Sequence, residues 1–482
     1  MPVNRAPTTR ADRIGPHQCR TIRPIDGEID KTVRDLAEEL GVPGVAVGIV
    51  HGDEARYGYH GITSIENPLP VDARTLFQLG STGKTFTSVA ILRLVEAGKL
   101  DLDAPVRTYV PELRLRDQHV AETVTVLQLL NHTAGWDGDD FTDTGDGDDA
   151  IARYVDHLAE LDQVTPPGHV VSYNNASLSL AGRVIEKVTG KVYEQAMREL
   201  VLDPVGLHDT LYFANDVITR RFAVGHRREE DGSIKVLRPW AMARSGNPMG
   251  GLSATAPDQV RWARFHLDAG QTHDGTQLVS SELICRMQEP TAHSPGSDLG
   301  DAVGISWLLS EIGGTKIVAH GGSMNGQYAG FTMVPSHRFA IVSLTNAEPN
   351  GPLFNRRIRD WALESYLGLV EADPVPGPRT ADALAAYAGR YANASALVDV
   401  TVDGDHLSLT VAPTAELIAQ LGDDADYVEP PIALRMLPET DRYVVTEGSH
   451  DHERGFFTRD ATTGRIDGIH LHGRFVPRSE TR

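Results

Sequence analysis

The chain has 482 residues, room for two or three domains at about 150 residues each and for a core that needs no disulfide staples. With 40% hydrophobic and 23% charged residues it reads as globular, and a net charge of −21 argues against nucleic acid or an anionic membrane as its main partner. Its two cysteines, Cys19 and Cys285, are far apart and suit a reducing compartment. No apolar stretch near the N-terminus has signal-peptide length, and no run elsewhere has the length of a bilayer span, so a cytoplasmic protein is expected.

Residues 1–26 are expected to form an irregular arm. A helix is then predicted over Glu28–Leu40, with Ile29, Val33, Leu36 and Leu40 on one face and Gly41 as its stop. Strands follow at Gly44–His51 and 54–60. From Ser81 to Gly98 runs a helix that is apolar nearly all round, as a helix in the centre of a domain must be. Next come a looped segment, a short apolar helix at 126–131, an acidic stretch at 137–149 expected to be solvated, and a long helix at Ala176–Thr189 closed by Gly190. Late strands fit 315–320, 327–335 and Phe339–Thr345. Strands at both ends of this region and helices between them predict an α+β fold, an antiparallel sheet with a helical subdomain. The proline-rich run EADPVPGPRT marks a linker over 371–381. Beyond it, over 382–482, short alternating runs at 398–402, 406–411, 433–436, Arg442–Val445, 455–459 and 468–472 predict a small β-barrel or sandwich.

Three short motifs stand out. In GSTGKT, Ser81 begins a helix and Lys84 follows one turn later, so both side chains lie on one face. A serine hydroxyl needs a base, and a lysine becomes one when burial lowers its pKa. Taken alone, Ser-x-x-Lys is a chance pattern and Ser a common N-cap. In PPGHVVSYNNASL, Tyr173 and Asn175 precede the second long helix. A tyrosine beside an ammonium can have a lowered pKa and shuttle a proton; the plain alternative is a buried aromatic and a capping asparagine. In AHGGSMNGQYAGF, His320 ends a strand, and Gly321 and Gly322 let another backbone lie close. The N–H of Ser323 can then donate to an oxyanion.

In this order the motifs resemble those of the serine β-lactamase and penicillin-binding-protein superfamily, nearest its class C-like branch of esterases and D-aminopeptidases. Ser-x-x-Lys, Tyr-x-Asn and His/Lys/Trp-x-Gly match Ser81/Lys84, Tyr173/Asn175 and His320/Gly322, and Tyr-x-Asn stands where the class A enzymes carry Ser-Asp-Asn. The flanking FQLGSTGKTFTS, LLNHTAGW, LDPVGLHDT and PMGGLSATAPDQV are similar too, over about residues 27–370. The C-terminal stretch is similar to a lipocalin-like β-domain. The resemblance implies a covalent acyl-enzyme without cofactor or metal. Ser81 would be nucleophile, and Lys84 and Tyr173 its proton relay. The N–H groups of Ser81 and Ser323 would form the oxyanion hole. Asn175, His320, Gly321 and Gly322 would contact substrate, with Asn175 orienting Lys84 and His320 holding Tyr173.

One position departs from the β-lactamase pattern. Enzymes acting on penicillins carry a lysine where His320 stands, a permanent cation for the substrate carboxylate. A histidine is mostly neutral at pH 7, which shifts the expected substrate to a small neutral ester, lactone or amide. Hydrolysis of an ester or lactone is therefore expected. A D-amino-acid aminopeptidase or amidase is the alternative, followed by a β-lactamase or a non-catalytic acyl-binding scaffold. Whether the chain forms a homo-oligomer is open.

Overall fold

The computed structural model describes residues 27–229, 231–421, 430–446 and 452–479; the N-terminal arm and Cys19 lie outside them. Helix α1 (Glu28–Leu40) ends on Gly41 in the left-handed conformation, the residue type that adopts it without strain. Strands β1 (Gly44–His51) and β2 (Glu54–Gly61) pair as a hairpin. The chain then leaves the sheet for a helical region with α2 (Lys84–Glu96), α3 (Ala176–Thr189) and α4 (Ala256–Leu267). It returns through β3 (Ala292–Ser297), β4 (Gly300–Val303), β5 (Leu308–Ile312), β6 (Thr315–Met324), β7 (Gln327–Val334) and β8 (Phe339–Thr345), and closes with α5 (Asn350–Leu367).

The sheet is antiparallel throughout, in the order β2-β1-β8-β7-β6-β5-β4-β3. Strand β1 is buried on both faces, which is why its sequence runs apolar without alternating. Val45, Val47 and Ile49 meet Ile29, Val33, Phe354 and Ile358 of α1 and α5. Ala46 and Val50 join the larger core under α2, α3 and α4, where Phe86 stacks on Trp262 at 4.0 Å. Each such side chain contributes about 1.5–3 kcal/mol when taken from water. Nearly every residue of α2 is buried, polar ones included, as its all-round apolar sequence predicts.

Residues 371–380 carry neither helix nor strand. After them an eight-stranded antiparallel meander forms: β9 (Gly389–Ala392), β10 (Ala396–Asp403), β11 (His406–Pro413), β12 (Ile432–Met436), β13 (Arg442–Val445), β14 (Arg454–Arg459), β15 (Ile466–Leu471) and β16 (Arg474–Pro477). A bridge between Tyr391 and Arg478 brings first and last strands together, so the sheet is a nearly closed barrel. It encloses Tyr391, Leu407, Leu409, Leu434, Tyr443 and Ile469. Strands β9 and β16 extend the set legible from sequence. No helix of the described residues is long and apolar enough to cross a membrane.

Candidate active site

Ser81 lies in a 3-10 turn, Gly80–Gly83, that runs directly into α2, and Lys84 is the first residue of that helix. The turn is pressed against β6. A Cβ on Gly80, whose φ is +51°, would stand 2.6 Å from the backbone N and O of Ser323. A Cβ on Gly322 would stand 1.8 Å from the carbonyl oxygen of Leu79 and 3.0 Å from Ser81 N. Glycine at both positions is thus the condition for bringing the backbones of Ser81 and Ser323 together. Strand β6 does not end at His320. It continues to Met324 on its β7 partner, while β5 pairs only as far as Ala319, so β6 outlasts its other neighbour beside the Ser81 turn. Gly321 faces the opposite way, its nearest Cβ contact being Ala329 O at 3.7 Å.

The Lys84 side chain is fully buried, and Nζ lies 2.9 Å from Ser81 Oγ, 2.7 Å from Asn175 Oδ1 and 2.7 Å from the carbonyl of Met249. Burial pushes its pKa well below the ordinary lysine value, with Arg474 pushing the same way and Asp139 opposing. A neutral amine has two N–H groups and one lone pair. In that form Asn175 and Met249 would accept the two protons and leave the lone pair to face Ser81. Asn175 does not cap α3; Asn174 does, its Oδ1 accepting from Ser177 N at 2.8 Å. The Asn175 side chain is thereby free for the site, and its Nδ2 donates to Asp139 Oδ1 at 2.8 Å.

Tyr173 is buried, and among the described residues its hydroxyl has no hydrogen-bond partner of good geometry, Ser81 being the nearest candidate. Burial raises its pKa above the ordinary phenol value, the Ser81 hydroxyl and Arg474 acting the other way. The lowered tyrosine pKa expected from a neighbouring ammonium is therefore corrected, because desolvation outweighs the cation. Lys84 Nζ lies 4.9 Å and Arg474 Cζ 4.8 Å from the ring centroid.

The ring that stacks on Tyr173 is His132, at 4.2 Å between centroids. His320 is tilted against it at 6.1 Å and makes no hydrogen bond to it, so the expected His320 brace is not what holds Tyr173. His132 Nδ1 accepts from Asn174 N at 3.1 Å, which puts its proton on Nε2, and burial keeps the ring neutral. His320 Nδ1 donates to Gly321 O at 2.6 Å, and burial with Lys84 nearby lowers its pKa to about 3. His320 is neutral and supplies no cation.

The acidic stretch is solvated in its second half, where Asp143, Asp146, Asp148 and Asp149 are exposed, but not in its first. Asp137 and Asp140 are buried. Asp137 Oδ2 accepts from Ala394 N of the barrel at 3.2 Å. Asp139 Oδ2 and Oδ1 accept from Arg474 Nε at 2.8 Å and Nη2 at 3.0 Å. Burial works against the Asp139 charge, yet Arg474, Asn175 and Lys84 together hold its carboxyl below the usual range. Arg474 follows a two-residue turn in which His472 (φ 47°) and Gly473 (φ 76°) are both left-handed, the hairpin type that fits strand twist. The HLHGR segment is thus a hairpin tip reaching the site rather than a plain run of strand. His132 and Met249 lie in the LLNHTAGW and PMGGLSATAPDQV segments but had no role assigned, and Asp139 and Arg474 carried no motif.

Residues 29–365 match the family model described as beta-lactamase. The chain is 33% identical over 361 residues to penicillin-binding protein 4 of Amycolatopsis lactamdurans, covering 74% of this chain and 94% of that one. It is 28% identical to a beta-lactamase of Providencia stuartii, covering 66% and 86%. A likeness of fold reaches through the barrel: the crystal structure of SurE with D-Leu superposes with a TM-score of 0.71 at 24% identity, covering 94% of this chain and 98% of that chain.

Proposed function

From the premise that the chain belongs to the β-lactamase family of serine hydrolases, we propose that it cleaves a neutral carboxylic ester or lactone through an acyl-enzyme on Ser81. The observation that carries this is the buried Lys84 amine 2.9 Å from Ser81 Oγ, with its other two directions committed to Asn175 and Met249. Ser81 Oγ attacks the carbonyl and its proton passes to the neutral Lys84 amine. The oxygen of the tetrahedral intermediate lies between the N–H groups of Ser81 and Ser323. Tyr173, protonated at rest, gives its proton to the departing alkoxide and regains one from the Lys84 ammonium. Two cations facing the Tyr173 ring stabilise the transient phenolate. Water then attacks the acyl-enzyme, with the same pair moving its proton in reverse.

A neutral substrate is favoured by the uncharged His320 and by the state of the nearby carboxylates. Both oxygens of Asp139 are taken by Arg474 and Asn175, and those of Asp137 by backbone N–H groups and Ser395. A free substrate amine, as an aminopeptidase needs, would have to displace these partners. A hydrolysis panel of aryl esters, lactones, D-alanine anilides and a chromogenic cephalosporin tests the reading. Turnover of the esters or lactones well above the anilide and cephalosporin is expected. The reverse order would overturn the ester assignment.

A further inference from the structure

We propose that Arg474, delivered by the last hairpin of the C-terminal barrel, is a positioning residue of the hydrolytic site that fixes Lys84 through Asp139 and Asn175. The inference rests on the reading of Ser81 and Lys84 given above. It is carried by an unbroken run of hydrogen bonds. Arg474 grips Asp139 with two parallel N–H···O contacts, the geometry that gives a guanidinium–carboxylate pair its directionality. Asp139 Oδ1 then accepts from Asn175 Nδ2, and Asn175 Oδ1 accepts from Lys84 Nζ. A carboxylate accepts only, so Asp139 dictates which end of the Asn175 amide faces it. With Asp139 held, the amide oxygen must face Lys84. With Asp139 released, the amide can turn and present N–H groups to the amine, and the lone pair loses its aim at Ser81.

The barrel already has other ties to this segment. Gly473 O accepts from Tyr173 N at 2.8 Å, Phe475 N donates to Ser172 Oγ at 3.1 Å, and His470 lies 3.0 Å from Val171 O. Those contacts join the domains without needing a charge. The guanidinium adds one, 4.8 Å over the Tyr173 ring and directed at the only acidic group in the run to Lys84. The pair keeps some exposure, 33% for Arg474 and 18% for Asp139, so it stays in reach of solvent rather than filling a core.

The test is the pH dependence of kcat/KM for an aryl ester, measured on full-length protein with Ser81→Ala as control. The acid limb reports loss of the proton from Lys84. Arg474→Met removes a cation and unmasks an anion, so the limb should move to higher pH by about one unit, with kcat at the optimum falling about 10²-fold. Asp139→Asn removes the anion and should move the limb to lower pH. Arg474→Lys keeps the charge without the fork; it should restore the limb while kcat stays low. A role confined to joining the domains would depress activity in all three without opposite displacements. Limbs that stay fixed or move together overturn the proposal, and a rise in KM alone reassigns Arg474 to substrate binding. If Arg474→Met does not fold, the Asp139→Asn and Arg474→Lys profiles decide. Should Ser81→Ala stay within tenfold of the parent, the hydrolase reading itself falls; an inactive Ser81→Ala with unmoved limbs sinks only the role of Arg474.

Discussion

Gly322→Ala adds one methyl group on the face of β6 that carries the Ser81 turn. The new carbon would stand 1.8 Å from Leu79 O, whereas ordinary contact begins near 3.4 Å. The gap can widen only if the turn and the strand part, because Leu79 O is backbone and the new carbon is fixed to the Cα of residue 322. That separation draws Ser81 N away from Ser323 N, the two donors assigned to the oxyanion. A misplacement of about 1 Å costs on the order of 10²-fold in rate, so kcat/KM for an aryl ester should fall at least that far. Stability should drop by about 1–3 kcal/mol, the usual cost of overpacking. Gly321→Ala is the matched comparison: its methyl meets nothing nearer than Ala329 O at 3.7 Å, and its unfolding free energy should change by no more than about 0.5 kcal/mol. The assay is steady-state hydrolysis together with the rate of phosphonate labelling, with denaturant unfolding alongside. A Gly322→Ala enzyme that labels and turns over at the parent rate would refute both the close approach and the oxyanion assignment.

Ser81→Ala should lose about 10⁶-fold in turnover while keeping its unfolding midpoint, and a phosphonate adduct should map by mass to the peptide containing Ser81. Lys84→Ala and Tyr173→Phe should each lose several orders of magnitude, and the double variant little more than either, since one relay cannot be broken twice; additive losses in kcat/KM would separate their roles. Burial lowers the Lys84 pKa in the fold, so between that value and 10.5 the unfolded chain binds the extra proton and this residue's contribution to stability rises with pH. Lys84→Met should flatten that slope in urea melts and be at least as stable as the parent near neutral pH, though inactive; an unchanged slope would mean the amine is charged in the fold.

Much of the hydrolase domain can be read from local pattern. The bounds of α1 and α3 follow from periodic apolar residues and the left-handed glycines Gly41 and Gly190 that stop them. Ser81, Lys84, Tyr173 and Asn175 are legible because their spacing and helix starts are themselves local. What escaped depends on distance along the chain. Met249 contributes a carbonyl, which every residue has, and its identity carries no signal. His132 sits at a positive φ that no neighbour announces. Asp139 hides in an acidic run that composition assigns to solvent, and its buried state depends on an arginine 335 residues away. Strand β6 was cut short at His320 because Gly321 and Gly322 have little strand propensity; pairing with Gly330 and Ala329 overrides it.

The 335 residues between Asp139 and Arg474 also separate them in time. A ribosome adding about 5–20 residues per second reaches Arg474 roughly 15 to 70 s after Asp139. Ser81, the proposed nucleophile, and Lys84 are made early, and the arginine that pairs with Asp139 comes about a hundred residues after the end of the family match. The nascent protein therefore carries Ser81 through synthesis without the clamp proposed for Arg474, which the last hairpin to be made supplies. A chain that ended before Arg474 would lack the proposed clamp, and surrounding esters would acylate its Ser81 more slowly.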